Sequence, residues 1–110
     1  MKVSVKDKTT ILKDTKIDVT AFISQLTSEI NKFKTQNLII DLSNYGAVEK
    51  EQVLLFKSLS KTHKAGKKSF VIVVSDADFN EFPDDFIVVP TLLEANDIIE
   101  MEEIERDLGF

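Results

Sequence analysis

Asp41, Asp76 and Asp78 are the residues whose types and positions best suit chemistry. Asp41 closes the apolar run Leu38-Ile39-Ile40, while Asp76 and Asp78 follow Phe70-Val71-Ile72-Val73-Val74. If both runs are parallel strands, the three carboxylates lie beyond their carboxyl ends, where open α/β sheets bind ligands. Oxygen donors of this kind suit Mg²⁺. The same residue type, placed after a strand, also begins turns and caps helices. No glycine-rich phosphate loop or lysine motif accompanies the three carboxylates.

His63 has the side chain of a general base. It sits late in a predicted helix between Lys61 and Lys64, with no acid or nucleophile paired to it in the sequence. A surface position near the helix C-terminus, where a positive imidazole suits the dipole, is the expectation. With one histidine and no cysteine, the chain lacks the usual ligands of a zinc hydrolase. No metal centre and no cofactor are expected.

Lys57, Lys61, Lys64 and Lys68 recur at helical spacing, with Lys67 beside them. Clustered positive charge of this sort attracts phosphates. The aromatic interleaving of a single-strand binder is missing, and the sequence pI is near 4.8. A solvated helix face is therefore expected, and nucleic acid is not an expected partner. The charge is nonetheless split along the chain. Residues 1–75 carry 13 lysines against seven acids, whereas residues 76–110 carry 12 acids and the single cation Arg106. In the last helix Glu100, Glu102, Glu103, Glu105 and Asp107 crowd the C-terminal half, where negative charge opposes the dipole. Glu102 and Arg106 are spaced for one favourable i,i+4 pair. Such a crowd of acids fits a partner surface and fits solubility equally well.

The elements that must position these residues follow from periodicity. The 110 residues suit one domain spanning 1–110, large enough to remove about two-thirds of its unfolded surface from water. The N-terminal residues alternate apolar and polar and lack a signal-peptide core. No stretch approaches a membrane span, and a cytoplasmic location is expected.

Val3 and Val5, then residues 9–12, read as a hairpin around Asp7-Lys8. Val19, Phe22, Ile23, Leu26, Ile30 and Phe33 share one helical face, capped by Asp18 or Thr20. Residues 38–40, closed by Asp41, together with 70–74 and 86–89 are continuous apolar runs that read as strands of the kind buried on both faces. A helix is predicted over 49–65, with Val53, Leu54, Phe56 and Leu59 apolar and Gly66 ending it. Residues 76–85 are irregular apart from one helical turn. Thr91 and Glu94 form a capping box for the last helix, whose apolar stripe is Leu92, Ala95, Ile98, Ile99 and Leu108. The expected fold is α/β: a mixed sheet with an antiparallel N-terminal hairpin, parallel βαβ units, and helices covering the sheet.

The order of elements, the run Leu38-Ile39-Ile40-Asp41-Leu42-Ser43 and the run Val88-Val89-Pro90-Thr91-Leu92-Leu93-Glu94-Ala95 together resemble the STAS domain, the fold of bacterial anti-sigma-factor antagonists. The resemblance covers nearly the whole chain. It implies a non-enzymatic regulatory domain that binds another protein and needs no small-molecule substrate. In that family a serine at the start of the helix after the strand is phosphorylated by a kinase and controls partner binding. Here Glu49-Lys50-Glu51-Gln52 occupies that place, so the resemblance implies the domain without its serine switch. Residues 98–110 are also similar to the ending of short bacterial proteins labelled ribonuclease Z. That enzyme's metal-binding histidines have no counterpart in a chain with one histidine.

The expected partner-binding residues are Ser43, Asn44, Tyr45, Glu49, Lys50 and Glu51. By resemblance, this is where antagonists of the family meet their kinases. By physics, a loop leaving a buried strand stands on a rigid base. Tyr45 offers apolar area with a polar tip. Two readings stand beside this one: an accessory role in RNA metabolism through the lysine flank, and a small Mg²⁺-dependent or nucleotide-binding domain using Asp41, Asp76 and Asp78.

Overall fold

Continuous apolar strands need cover on both faces, and the fold supplies it. The computed structural model describes residues 1–15, 18–45, 48–76 and 79–109, with Phe79 described through its backbone alone. Five strands form one sheet in chain order: β1 (Lys2–Lys6), β2 (Thr9–Lys13), β3 (Asn37–Asp41), β4 (Phe70–Val73) and β5 (Ile87–Val89). β1 pairs antiparallel with β2, and every later pair is parallel. The predicted α/β architecture and its parallel strands are thus present. Asp7 turns the hairpin with a left-handed φ of 55°, a conformation that aspartate tolerates better than most residues.

Three helical segments follow from right-handed crossovers that always advance the same way, so they fall on one face. They are α1 (Val19–Glu29), α2 (Lys50–Leu54) and α3 (Lys57–Ala65). Against them the sheet sends Leu12, Leu38, Ile40, Phe70, Ile72 and Val88. Phe22 from α1 and Phe56 between α2 and α3 meet edge-to-face with ring centroids 6.0 Å apart. The last helix, α4 (Leu92–Asp107), folds onto the other face. There Ala95 and Ile99 pack against Ile39, Val71, Val73 and Val89. This two-sided cover explains why all five residues of β3 and all four of β4 are buried.

Local chemistry sets the helix ends. Asp18 caps α1 by accepting the Ala21 N–H, and Thr91 caps α4 by accepting the Glu94 N–H at 3.1 Å. The predicted helix over 49–65 is divided. Leu55 N–H bonds to Gln52 O and Phe56 N–H to Val53 O, an i→i−3 pattern that tightens the chain. That tightening stacks Val53 above Phe56, and both are buried. Leu108, assigned from its spacing to the buried stripe of α4, is exposed instead. At the helical repeat it falls on the side of α4 opposite the buried Ala95 and Ile99.

Candidate functional site

The carboxyl ends of the parallel strands carry a rigid corner. Asp41 is buried, and its Oδ1 accepts both the backbone N–H of Ser43 at 2.9 Å and the Ser43 hydroxyl at 2.6 Å. Leu42 N–H bonds to Val73 O at 2.8 Å, carrying the β3–β4 ladder one step further. A short 3-10 turn, Ser43–Tyr45, then starts the loop. Tyr45 folds back against the core under α1, and its hydroxyl donates to Asp14 Oδ2. Asp14 is buried just past β2, and the same oxygen accepts the Asp18 N–H at 2.8 Å. Burial pushes the Tyr45 phenol above its ordinary pKa, and the Asp14 carboxylate pushes it further the same way.

The other predicted contact residues stand outward from this corner. Asn44, Glu49, Lys50 and Glu51 are exposed and Ser43 is half-buried. Residues 46 and 47 of the loop lie outside the described residues. Gln52 Oε1 accepts the Glu49 N–H at 3.2 Å, which fixes where α2 begins. Tyr45 is an anchor of the loop, and the outward surface belongs to its neighbours.

One exposed apolar residue shortly after this surface in sequence was not read from the sequence. Leu55 is 55% exposed at the tight turn between α2 and α3. It borders a shallow groove on α1 lined by Thr20, Ile23, Ser24 and Thr27. In an unbroken helix its place among Val53, Leu54 and Phe56 marks nothing. The tight turn buries Val53 and Phe56 and leaves Leu55 facing solvent.

The candidate metal ligands are placed differently from one another. Asp41 is already engaged by Ser43. Asp76 is exposed with a left-handed φ of 63°, and Asp78 lies outside the described residues. Among the described residues, no three His, Cys, Asp or Glu side chains group as metal ligands.

His63 corrects the expectation of a surface imidazole. It is buried, its Nε2 lies 2.7 Å from Gln36 O, and its ring meets Phe70 edge-on at 6.0 Å. Burial lowers its pKa; the bond to the Gln36 carbonyl works against that, and the Lys68 charge adds a smaller downward push. Its lysine neighbours in sequence point elsewhere. Lys57 and Lys61 are exposed, while Lys64 Nζ donates to Asp85 O at 2.5 Å and ties α3 to the approach to β5.

The amino ends of the strands hold a polar cluster that sequence reasoning missed. Asn37 Oδ1 accepts the Ser69 N–H at 2.9 Å and Arg106 Nη2 at 3.3 Å. Arg106 Nη1 donates to Ser69 Oγ at 3.2 Å, and Asn37 Nδ2 donates to Glu103 Oε1. The available signal was that Asn37 and Ser69 each precede a buried apolar run, and that the chain has one arginine. The expected Glu102–Arg106 pair does not form, because the guanidinium is drawn inward. Glu102 Oε1 is buried without a hydrogen-bond partner.

No protein-family model matches the sequence, and none of the curated proteins compared with it matches. No helix among the described residues is long and apolar enough to cross a membrane.

Proposed function

We propose that the chain is a STAS-like interaction domain that acts by binding another protein, and that it works without a serine phosphorylation switch. The observation that carries this reading is the doubly tied corner at the strand ends. Asp41 holds Ser43, and Asp14 holds Tyr45, so the loop after β3 leaves a fixed base. A surface held at Ser43 and Tyr45 on one side and at the start of α2 on the other presents side chains with little ordering cost on binding. What it presents is Asn44, Glu49, Lys50 and Glu51, all exposed, and one helical turn past Glu51 the exposed Leu55 adds apolar area against the α1 groove. A small apolar contact rimmed by polar groups is the usual anatomy of a protein interface.

The resemblance points to the same loop, and Lys50 and Glu51 stand where the family's phosphorylated serine motif would be. The mixed charge of Glu49, Lys50 and Glu51 then sets partner choice by fixed complementarity. Catalysis forms no part of this reading.

The test pairs Lys50→Glu with Leu55→Ser, each assayed for retention of the protein captured by the wild-type domain from its native cell. Both side chains are exposed, so the melting temperature should hold. Lost capture by both variants supports the reading. Undiminished capture by two folded variants places the interface elsewhere.

A further inference from the structure

We infer that the outer face of α4 is a second docking surface, built for a basic amphipathic helix of another protein. It is independent of the loop at the strand ends, because α4 covers the opposite face of the sheet from α1, α2 and α3.

Ala95 and Ile99 are the buried residues of α4. The opposite side of the helix carries Leu93, Met101, Ile104 and Leu108, which are 71%, 58%, 60% and 67% exposed. Steps of eight, three and four put these four on one stripe, which Asp97 interrupts. From Leu93 to Leu108 the stripe runs about 22 Å at the rise of an α-helix. That length matches a partner helix of about four turns.

Charge decides what lies on it. Glu100 and Asp107 border one side of the stripe, Glu94 and Glu105 the other, and all four are exposed; Lys6 and Lys8 of the β1–β2 hairpin approach the stripe only at its Leu93 end, beside Glu100 and Glu103, which leaves the C-terminal half acidic. The helix's one cation, Arg106, points inward to Ser69 and Asn37 and offers nothing to the outer face. The acids also gather toward the C-terminal end, where the helix dipole is already negative. Lysine or arginine flanks on a partner would meet carboxylates on both sides and offset the dipole as well. A second copy docked through the same stripe would set acid against acid. An anionic lipid surface would be repelled in the same way.

The experiment uses the full chain and two synthetic 15-residue amphipathic helices. Both carry the same leucine stripe; one is flanked by lysines, the other by glutamates. Binding is followed by fluorescence anisotropy and mapped by backbone amide shifts. The lysine peptide is expected to bind one to one, at least about tenfold more tightly than the glutamate peptide, as favourable charge complementarity allows. Its shifts should centre on Met101, Ile104 and Leu108, and binding should weaken as salt rises. Met101→Lys with Ile104→Lys should abolish it. Glu100→Lys with Glu105→Lys, which leaves the stripe intact, should reverse the peptide preference. The inference is overturned if neither peptide binds, if both bind alike, or if the shifts centre on another surface. It is likewise overturned if sedimentation shows the stripe closed by a second copy, or if the stripe binds phosphatidylglycerol vesicles.

Discussion

The Tyr45 hydroxyl donates to Asp14 Oδ2 across 31 positions of sequence, joining the loop after β3 to the loop after β2. That oxygen also accepts the Asp18 N–H, so one buried carboxylate organises the start of α1 and the start of the loop after β3 together. Tyr45→Phe keeps the ring and removes the donor. It should destabilise the domain by about 1–3 kcal/mol, the usual cost of leaving a buried polar group short of a partner. Chemical denaturation measures the loss. A cost near zero would mean that the contact does not hold the loop.

The same contact predicts how the phenol titrates. The chain has one tyrosine and no tryptophan, so the ultraviolet phenolate band reports Tyr45 alone. An ordinary tyrosine is half-ionised near pH 10. Here the folded value is raised, by burial and then by Asp14. The neutral phenol is the form that the fold favours, so its contribution is complete below about pH 10 and is lost as pH rises beyond that. Absorbance at pH 10 should show little phenolate until the chain unfolds. Half-ionisation at pH 10 in the folded protein would refute the prediction.

His63 should titrate in the opposite sense. Its folded pKa is lowered, chiefly by burial, so the unfolded chain binds the proton more readily. Stability from this group is present above about pH 6.5 and is lost as pH falls through the depressed folded value. The imidazole resonances of the lone histidine give that value directly by NMR. A midpoint at or above about 6.5 contradicts the burial argument. The melting temperature should also fall as pH drops below about 6.5, and do so less steeply in His63→Gln.

Glu102 costs stability where it stands. One of its oxygens is buried without a partner, and its charge opposes the α4 dipole. Glu102→Met should therefore raise stability by about 1 kcal/mol, the scale of an unsatisfied buried group. A lower melting temperature in the variant would show that the carboxylate makes a contact worth more than its burial costs.

How much of this was legible in the sequence depended on whether local pattern or tertiary contact decided each feature. The runs at β3, β4 and β5 announced themselves because burial on both faces demands continuous apolar residues. Asp18 and Thr91 were readable as caps because capping is settled within one helical turn. The division between α2 and α3 was not readable. Val53 and Phe56, three apart, suit an α-helix and a tight 3-10 turn alike, and only packing against the sheet chose between them. His63 misled because its sequence neighbours are lysines, while its environment comes from Gln36 and Phe70 on other elements. The bonds joining Asn37, Ser69 and Arg106 span up to 69 residues, beyond any periodicity. At the candidate site, Asn44, Glu49, Lys50 and Glu51 are exposed. Tyr45 turned inward because Asp14, far away in sequence, waits for its hydroxyl.

The proposed partner surface is formed by the loop after β3 and the start of α2. Site-specific photo-crosslinking in the native cell tests it most directly. The photoreactive residue replaces Asn44, Lys50 or, at the opposite end of the strands, the exposed Thr35. Asn44 and Lys50 should capture the same protein, identified by mass spectrometry, and Thr35 should not. Capture of that protein from Thr35 as strongly as from Lys50, or no capture from either loop position, would contradict it.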